Sequence, residues 1–107
     1  LHGKAQGASL RRRTVAFAPE ARSDLLRLGD WIVERAGVDV ALNYIERLEA
    51  YCASFETAGE RGQRRDDIRA GLRIAGFERR VAIAFTVSAT EVTILRLYYG
   101  GQNWTGM

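Results

Sequence analysis

The sequence has almost none of the residues that build metal sites, thiol chemistry or disulfide frameworks. It contains one cysteine, Cys52, and one histidine, His2. A lone cysteine excludes an internal disulfide and is typical of a reducing compartment, so we predict a cytoplasmic protein. A zinc site needs several cysteine or histidine ligands in a cluster. We therefore predict neither a metal nor any other cofactor, and we interpret Cys52 as a packing residue of a helix.

Long apolar runs are also missing. None approaches the ~18 residues needed to cross a bilayer, and no signal-peptide pattern opens the chain, so we predict no membrane association. With 107 residues, 47% of them hydrophobic, the chain has room for one globular domain. Residues 1–9 show no periodicity. We predict a flexible leader over residues 1–13, native or left by cloning, and a single domain over residues 14–107.

Acidic residues are scarce at both ends of the chain. Residues 1–17 carry four basic groups and no acid, residues 18–60 carry four basic groups and nine acids, and residues 61–107 carry eight and four. Fifteen of the sixteen basic residues are arginine, which suits bidentate contacts with carboxylate or phosphate. The pattern favours a partner of acidic character, protein or nucleic acid, without choosing between them.

The first half of the chain has helical periodicity after one short strand. The strand is predicted over residues 14–18, and Pro19 suits the first turn of a helix that Gly37 ends. A second helix is predicted to begin at Asp39 as its N-cap. Because few residues join the two helices, they form a helical hairpin. The apolar stripe of the first helix consists of Ala21, Leu25, Leu28 and Ile32, widened by Trp31.

The second half changes to a period of two. A polar loop is predicted over residues 57–67, followed by strands over residues 71–77, 80–87 and 91–99. Their short connections predict an antiparallel meander. The fold prediction is α+β in the order β-α-α-β-β-β, with the helical hairpin packed on a mainly antiparallel four-stranded sheet.

The last strand carries apolar residues on both of its predicted faces. Val92 and Ile94 lie on one face, and Leu95 and Leu97 lie on the other. A strand whose second face sees only water alternates more cleanly. Either the strand is central and covered on both sides by its own chain, or it leaves an apolar surface for a partner. We favour the second interpretation, because so short a chain has few elements left to cover it.

Two segments resemble ParE-type toxins of the RelE/ParE superfamily. In Arg65-Asp66-Asp67-Ile68-Arg69-Ala70-Gly71-Leu72-Arg73, an Arg-acid-acid-apolar run leads into Gly-apolar-Arg at the start of a strand. Ile94-Leu95-Arg96-Leu97 followed by Tyr99-Gly100-Gly101-Gln102-Asn103-Trp104 is similar to the C-terminal strand and tail of the family. The helical hairpin has similar spacing, so the resemblance covers about residues 14–104.

The resemblance implies the toxin of a type II toxin–antitoxin system, which inhibits DNA gyrase by protein binding and is neutralised by a ParD-like antitoxin in a hetero-oligomer. The toxin would meet DNA only through the antitoxin. For contacts with gyrase we expect Tyr98, Tyr99, Gln102, Asn103 and Trp104. For contacts with the antitoxin we expect Leu25, Leu28, Trp31, Arg73, Arg79, Arg80, Leu95, Arg96 and Leu97.

The enzymatic alternative is a ribosome-dependent endoribonuclease of the RelE type. Arg73 and Arg96 would neutralise phosphate charge, and Tyr98 or Tyr99 would handle a proton. No lysine, histidine or glutamate stands beside them on the last two strands as a base. We therefore predict no catalytic residues. Arg73 and Arg96 also have a purely structural interpretation, as strand arginines paired with Glu78 or Glu91, and Trp31 has one as a core aromatic.

Overall fold

The computed structural model describes residues 12–100, which form an α+β domain. No helix in that range is long and apolar enough to span a membrane. The helices are α1 (Pro19–Ala36) and α2 (Val38–Ala53), followed by a 3₁₀ turn (Ser54–Glu56). The strands are β1 (Thr14–Phe17), β2 (Gln63–Arg64), β3 (Leu72–Phe77), β4 (Val81–Val87) and β5 (Glu91–Tyr99).

The five strands form one mixed sheet in the order β1-β5-β4-β3-β2. Strand β1 runs parallel to β5, and the other neighbours are antiparallel. The prediction of a helical hairpin on a mainly antiparallel sheet is confirmed, but the sheet has five strands rather than four. The additional strand, β2, lies inside the predicted loop 57–67. Its two residues are polar and exposed, so there is no alternation of apolar residues from which to predict the strand.

The helical hairpin turns at Gly37, whose φ of 97° is accessible to glycine at little cost. Helix α2 begins at Val38, directly after this glycine, and has no side-chain cap. The predicted N-cap at Asp39 is therefore wrong, because Asp39 already lies within the first turn. There its negative charge faces the positive end of the helix dipole.

The core lies between the hairpin and one face of the sheet. The buried positions of α1 are spaced by three, four and four residues, and those of α2 follow the same spacing. Removing each large apolar side chain from water contributes roughly 1.5–3 kcal/mol. The largest fully buried side chains include Leu28 and Leu48 of the hairpin, Phe55 of the 3₁₀ turn, and Leu72, Ile83, Phe85, Ile94 and Leu97 of the sheet.

A β-bulge in β5 explains the two apolar faces seen in the sequence. Ile83 pairs with Leu97 and Phe85 pairs with Ile94, so β5 carries one more residue than β4 between these pairs. The extra residue shifts the alternation, and Ile94 and Leu97 both join the core at no more than 1% exposure. The prediction that Leu97 faces away from Ile94 is wrong. Of the residues predicted on the second face, only Leu95 stays outside the core cluster, half-buried.

Candidate functional site

A groove of about 710 Å³ opens between the hairpin and the far end of the sheet. Its apolar wall comes from the second half of α1, the first half of α2 and the start of β4, and its charged rim comes from both helices and the β3–β4 turn. The wall includes Leu28, Trp31, Ile32, Val40 and Val81, and the rim includes Arg35, Arg47, Glu78, Arg79 and Arg80. An apolar concavity with a few charged groups is the usual form of a binding site.

Trp31 and Tyr99 form one end of the groove. Their ring centroids are 5.4 Å apart, and the Arg35 guanidinium lies 4.2 Å from the Trp31 ring centroid. The chain passes close to Trp31 at Gly100, where a Cβ atom would lie 3.3 Å from Trp31 Cζ2 and where φ is 61°. Both the close approach and the positive φ favour glycine at this position. Trp31 is half-buried, so it presents part of its ring to a partner while packing against the core.

The β3–β4 turn holds two arginines on the rim. Glu78 and Arg79 have φ values of 51° and 61°, a left-handed conformation that costs a residue with a side chain about 1–2 kcal/mol. Arg79 and Arg80 are exposed, and neither forms an ion pair within residues 12–100. Strained backbone beside exposed arginines that form no ion pair is more typical of a binding site than of a purely structural turn.

Glu78 itself is held by Arg47 of α2. Arg47 donates two hydrogen bonds of 2.8 Å to the two carboxylate oxygens. The bond from Arg47 lowers the pKa of Glu78. Both side chains are substantially exposed, at 52% and 38%, so the ion pair contributes little net stability.

Tyr44 lies under the Arg47 guanidinium, and its hydroxyl is unsatisfied. The residue is 7% exposed, and its hydroxyl oxygen has no hydrogen-bond partner among the described residues. The ring packs edge-on against Phe77 at 5.5 Å, and the Arg47 guanidinium lies 5.2 Å from its centroid. Burial and the nearby Glu78 carboxylate raise the pKa of Tyr44, so the hydroxyl stays protonated and remains a donor.

A second charged site lies earlier on α1, outside the groove. Asp24 is 3% exposed, and its Oδ2 accepts bonds from Arg96 Nε at 2.7 Å and from the Leu97 backbone N–H at 2.9 Å. Its Oδ1 accepts from Arg96 Nη2 at 3.1 Å and from Arg27 Nη2 at 2.8 Å. Burial raises the pKa of Asp24, but these donors outweigh it and the pKa lies below its ordinary value.

The interpretation of Arg96 as a partner of Glu78 or Glu91 is wrong, because the partner is Asp24. Glu78 bonds to Arg47 instead. Asp24 is not among the predicted site residues, because an acidic residue near the start of a helix is usually explained by the helix dipole. The signal is its position three residues after Ala21 and four before Leu28, on the buried face of α1.

Arg73 lies far from the groove. Its Nη1 donates to the backbone oxygens of Glu60 at 3.0 Å and Arg61 at 3.5 Å. It lines a shallower cavity of about 350 Å³ together with Arg13, which donates to Glu60 and to the Ser88 carbonyl. Arg73 is therefore anchored to the loop before β2, and it does not pair with Glu78 or Glu91.

The predicted antitoxin contacts are thus scattered over the domain. Four of them, Leu28, Trp31, Arg79 and Arg80, line the groove. The apolar character of Leu25 and Leu97 is accounted for by the core, against which Leu25 packs and in which Leu97 is buried.

The predicted gyrase contacts lie partly outside the described residues, since that is where Gln102, Asn103 and Trp104 fall. Tyr99 packs on Trp31, whereas Tyr98 lies with its ring centroid 5.4 Å from the Arg96 guanidinium. The two neighbouring tyrosines therefore have different surroundings.

The residues of the ribonuclease alternative are not brought to one point. Strand β4 separates Arg73 on β3 from Arg96 on β5, which places their backbones roughly 10 Å apart. Arg96 is directed to Asp24, Arg73 to the loop at Glu60, and Tyr99 to Trp31. Three groups on three different partners do not form a phosphate-binding cluster around a proton donor.

Thiol and metal chemistry have no evident site in the described range. Cys52 is buried, and burial raises its pKa to about 12, so the unreactive thiol form prevails at neutral pH. Within residues 12–100, no three histidine, cysteine or acidic side chains come together as a metal-binding group.

The sequence was compared with protein families and with curated proteins. Residues 15–104 match the family model described as the ParE toxin of the type II toxin–antitoxin system parDE. No curated protein sequence matches the chain closely enough to indicate a relationship.

Solved structures share the fold. A chain of the chromosomal ParDE toxin–antitoxin system from P. aeruginosa matches with a TM-score of 0.72 at 22% identity, covering 82% of this chain and 96% of that one. A chain of the RelBE2 toxin–antitoxin complex from Mycobacterium tuberculosis matches with a TM-score of 0.53 at 21% identity, covering 85% and 94%.

Proposed function

The chain belongs to the ParE toxin family of type II toxin–antitoxin systems, and from this premise we propose that it inhibits DNA gyrase by binding and is neutralised by a ParD-like antitoxin. The observation that carries the proposal is the groove, which joins an apolar wall to arginines without ion pairs in the described range. Such a surface suits recognition of another polypeptide.

The antitoxin is proposed to occupy the groove. An amphipathic segment buries its apolar face against Trp31 and Val40, in the manner of a helix in a hydrophobic groove. Its acidic side chains then meet Arg79 and Arg80, and charge-assisted bonds to arginine are stronger than neutral ones. The toxin is proposed to act in the cytoplasm and to meet DNA only through the antitoxin.

Gyrase is proposed to contact the surface around Tyr98 and Tyr99 together with Gln102, Asn103 and Trp104. This assignment rests on the resemblance and on the position of the two tyrosines at the end of β5. Under this assignment the chain cleaves no bond itself. This agrees with the structure, in which Arg73, Arg96 and Tyr99 each contact a different partner.

The test is a supercoiling assay with purified components. Purified chain added to gyrase, relaxed plasmid and ATP is expected to block supercoiling in the absence of ribosomes, and the protein encoded by the adjacent reading frame is expected to restore it. If gyrase is unaffected while messenger RNA is cleaved in translating ribosomes, the ribonuclease alternative replaces this proposal.

A further inference from the structure

The Tyr44 hydroxyl is a polar group that the fold itself leaves unexplained. Within residues 12–100, its oxygen is the one buried side-chain polar atom without a hydrogen-bond partner. Phenylalanine at this position would keep the packing against Phe77 and would avoid taking a hydroxyl out of water. Buried polar groups in native proteins nearly always have a partner, so this hydroxyl points to an acceptor that another molecule supplies.

The charges around Tyr44 restrict the chemistry of that acceptor. The Arg47 guanidinium lies over its ring, and Arg80 is close enough to affect its ionisation. Arg35, Arg79 and Arg80 line the same groove without an ion pair within the described residues. A cationic ligand would be repelled, whereas a carboxylate accepts from a hydroxyl and a guanidinium at once.

Glu78 now binds the Arg47 guanidinium that such a carboxylate would need. It accepts both hydrogen bonds from Arg47, and it belongs to the exposed turn with positive φ. Because the ion pair is exposed, exchanging one carboxylate for another costs little. A carboxylate that replaces Glu78 on Arg47 comes close to Tyr44, because the Arg47 guanidinium lies 5.2 Å from the Tyr44 ring centroid.

We propose that a carboxylate of the antitoxin displaces Glu78 from Arg47 and accepts a hydrogen bond from the Tyr44 hydroxyl. The inference rests on the proposed function, because it takes the antitoxin as the occupant of the groove. The apolar wall formed by Trp31, Ile32 and Val40 requires apolar side chains next to that carboxylate. The recognised segment is therefore an acidic residue flanked by large apolar residues.

The inference predicts that substitutions of the two members of one ion pair change antitoxin affinity in opposite directions. Glu78→Gln removes the competing carboxylate and tightens antitoxin binding. Arg47→Gln removes the cation that the antitoxin needs and weakens binding. An ion pair that only held the groove in shape would weaken binding in both variants, so the signs separate displacement from support.

The experiment is calorimetric titration of the full chain with the protein encoded by the adjacent reading frame, purified from the co-expressed complex. Tyr44→Phe is expected to bind roughly tenfold more weakly, which corresponds to one charge-assisted hydrogen bond, and to unfold at the same or a higher urea concentration. Tyr51→Phe is the matched control, because this half-buried ring also packs on Phe77 and lies outside the groove. Its affinity should equal that of the native chain.

The outcomes separate this inference from the proposed function. If the native chain binds the neighbouring protein and Tyr44→Phe binds equally well, or if Glu78→Gln weakens binding as Arg47→Gln does, the inference is overturned and the proposed function stands. If the native chain does not bind that protein, the inference and the proposed neutralisation by the antitoxin are both overturned, whereas gyrase inhibition is tested by the supercoiling assay. The inference is also overturned if a structure of the complex shows the groove filled by a second copy of this chain or by residues 101–107.

Discussion

Helix α1 contributes to two charged sites that differ in whether their arginines form ion pairs. In the first half of the helix, Asp24 is buried and receives four hydrogen bonds, two of them from Arg96. In the second half, Arg35 and the nearby Arg79 and Arg80 line the groove, and none of these three forms an ion pair in the described range, whereas Arg47 of the same rim pairs with Glu78. The paired charge holds the sheet to the helix, whereas the arginines without ion pairs are those to which the proposed function assigns a partner. The comparison predicts that changes at Asp24 affect stability and that changes in the groove affect binding.

The largest effect is expected at Asp24. Asp24→Asn removes the negative charge that Arg96 and Arg27 surround, and it should lower the free energy of unfolding by about 2–3 kcal/mol, measured by urea denaturation. Asp30→Asn is the matched control, because Asp30 lies on the same helix, is exposed, and forms no ion pair within residues 12–100. Equal denaturation midpoints for the two variants would contradict a structural role for Asp24.

The next effect is expected at the rim of the groove. Replacing Arg79 and Arg80 with alanine should weaken antitoxin binding roughly 10- to 100-fold, as the loss of charge-assisted bonds implies. The unfolding free energy should change by less than about 0.5 kcal/mol per site. Arg69→Ala, at an exposed loop position away from the groove, should leave binding unchanged. A loss of stability as large as the loss of binding would mean that the rim serves the fold.

The sequence predicted the arrangement of helices and strands because hydrophobic periodicity is strong in both halves of the chain. It failed at the polar strand β2, at the start of α2, and at the bulge of β5, which is a local geometric event. One extra residue at the bulge moved Leu97 from the predicted outer face to the core. The residue pattern alone does not reveal such an event, because an alternation that breaks looks the same as a strand with two apolar faces.

The candidate site was less predictable than the fold. Arg79 and Arg80 were identified, but Tyr44 and Arg47 were not, because their importance depends on which face of α2 meets the β3–β4 turn. Arg96 is predicted to contact the antitoxin, and the sequence does not indicate its bond to Asp24 across 72 positions. Pairings over such distances depend on tertiary packing, on which local periodicity carries no information.

Acid titration is expected to give a smaller effect that sharpens the comparison. Because the folded-state pKa of Asp24 is lowered, its carboxylate stabilises the fold above the unfolded pKa of about 3.9, and this contribution is lost as the pH falls through the folded pKa. The stability difference between the native chain and Asp24→Asn should therefore shrink below about pH 4. Urea denaturation at several pH values checks this, and a constant difference would show that the ionised carboxylate is not the stabilising species.

The smallest effect is expected in the strained turn, and its sign is opposite to that at Asp24. Arg79 has a φ of 61°, so Arg79→Gly should raise the free energy of unfolding by roughly 0.5–1 kcal/mol, the relief of the left-handed strain less the added entropy of the unfolded chain. Arg80→Gly is the matched control, since Arg80 does not have a positive φ and gains only the entropic penalty, which lowers stability. Both variants remove a rim cation and should bind the antitoxin more weakly. If Arg79→Gly gains stability and loses binding, the strained arginine serves the partner and not the fold. If the two variants change stability equally, backbone strain at Arg79 does not explain the result.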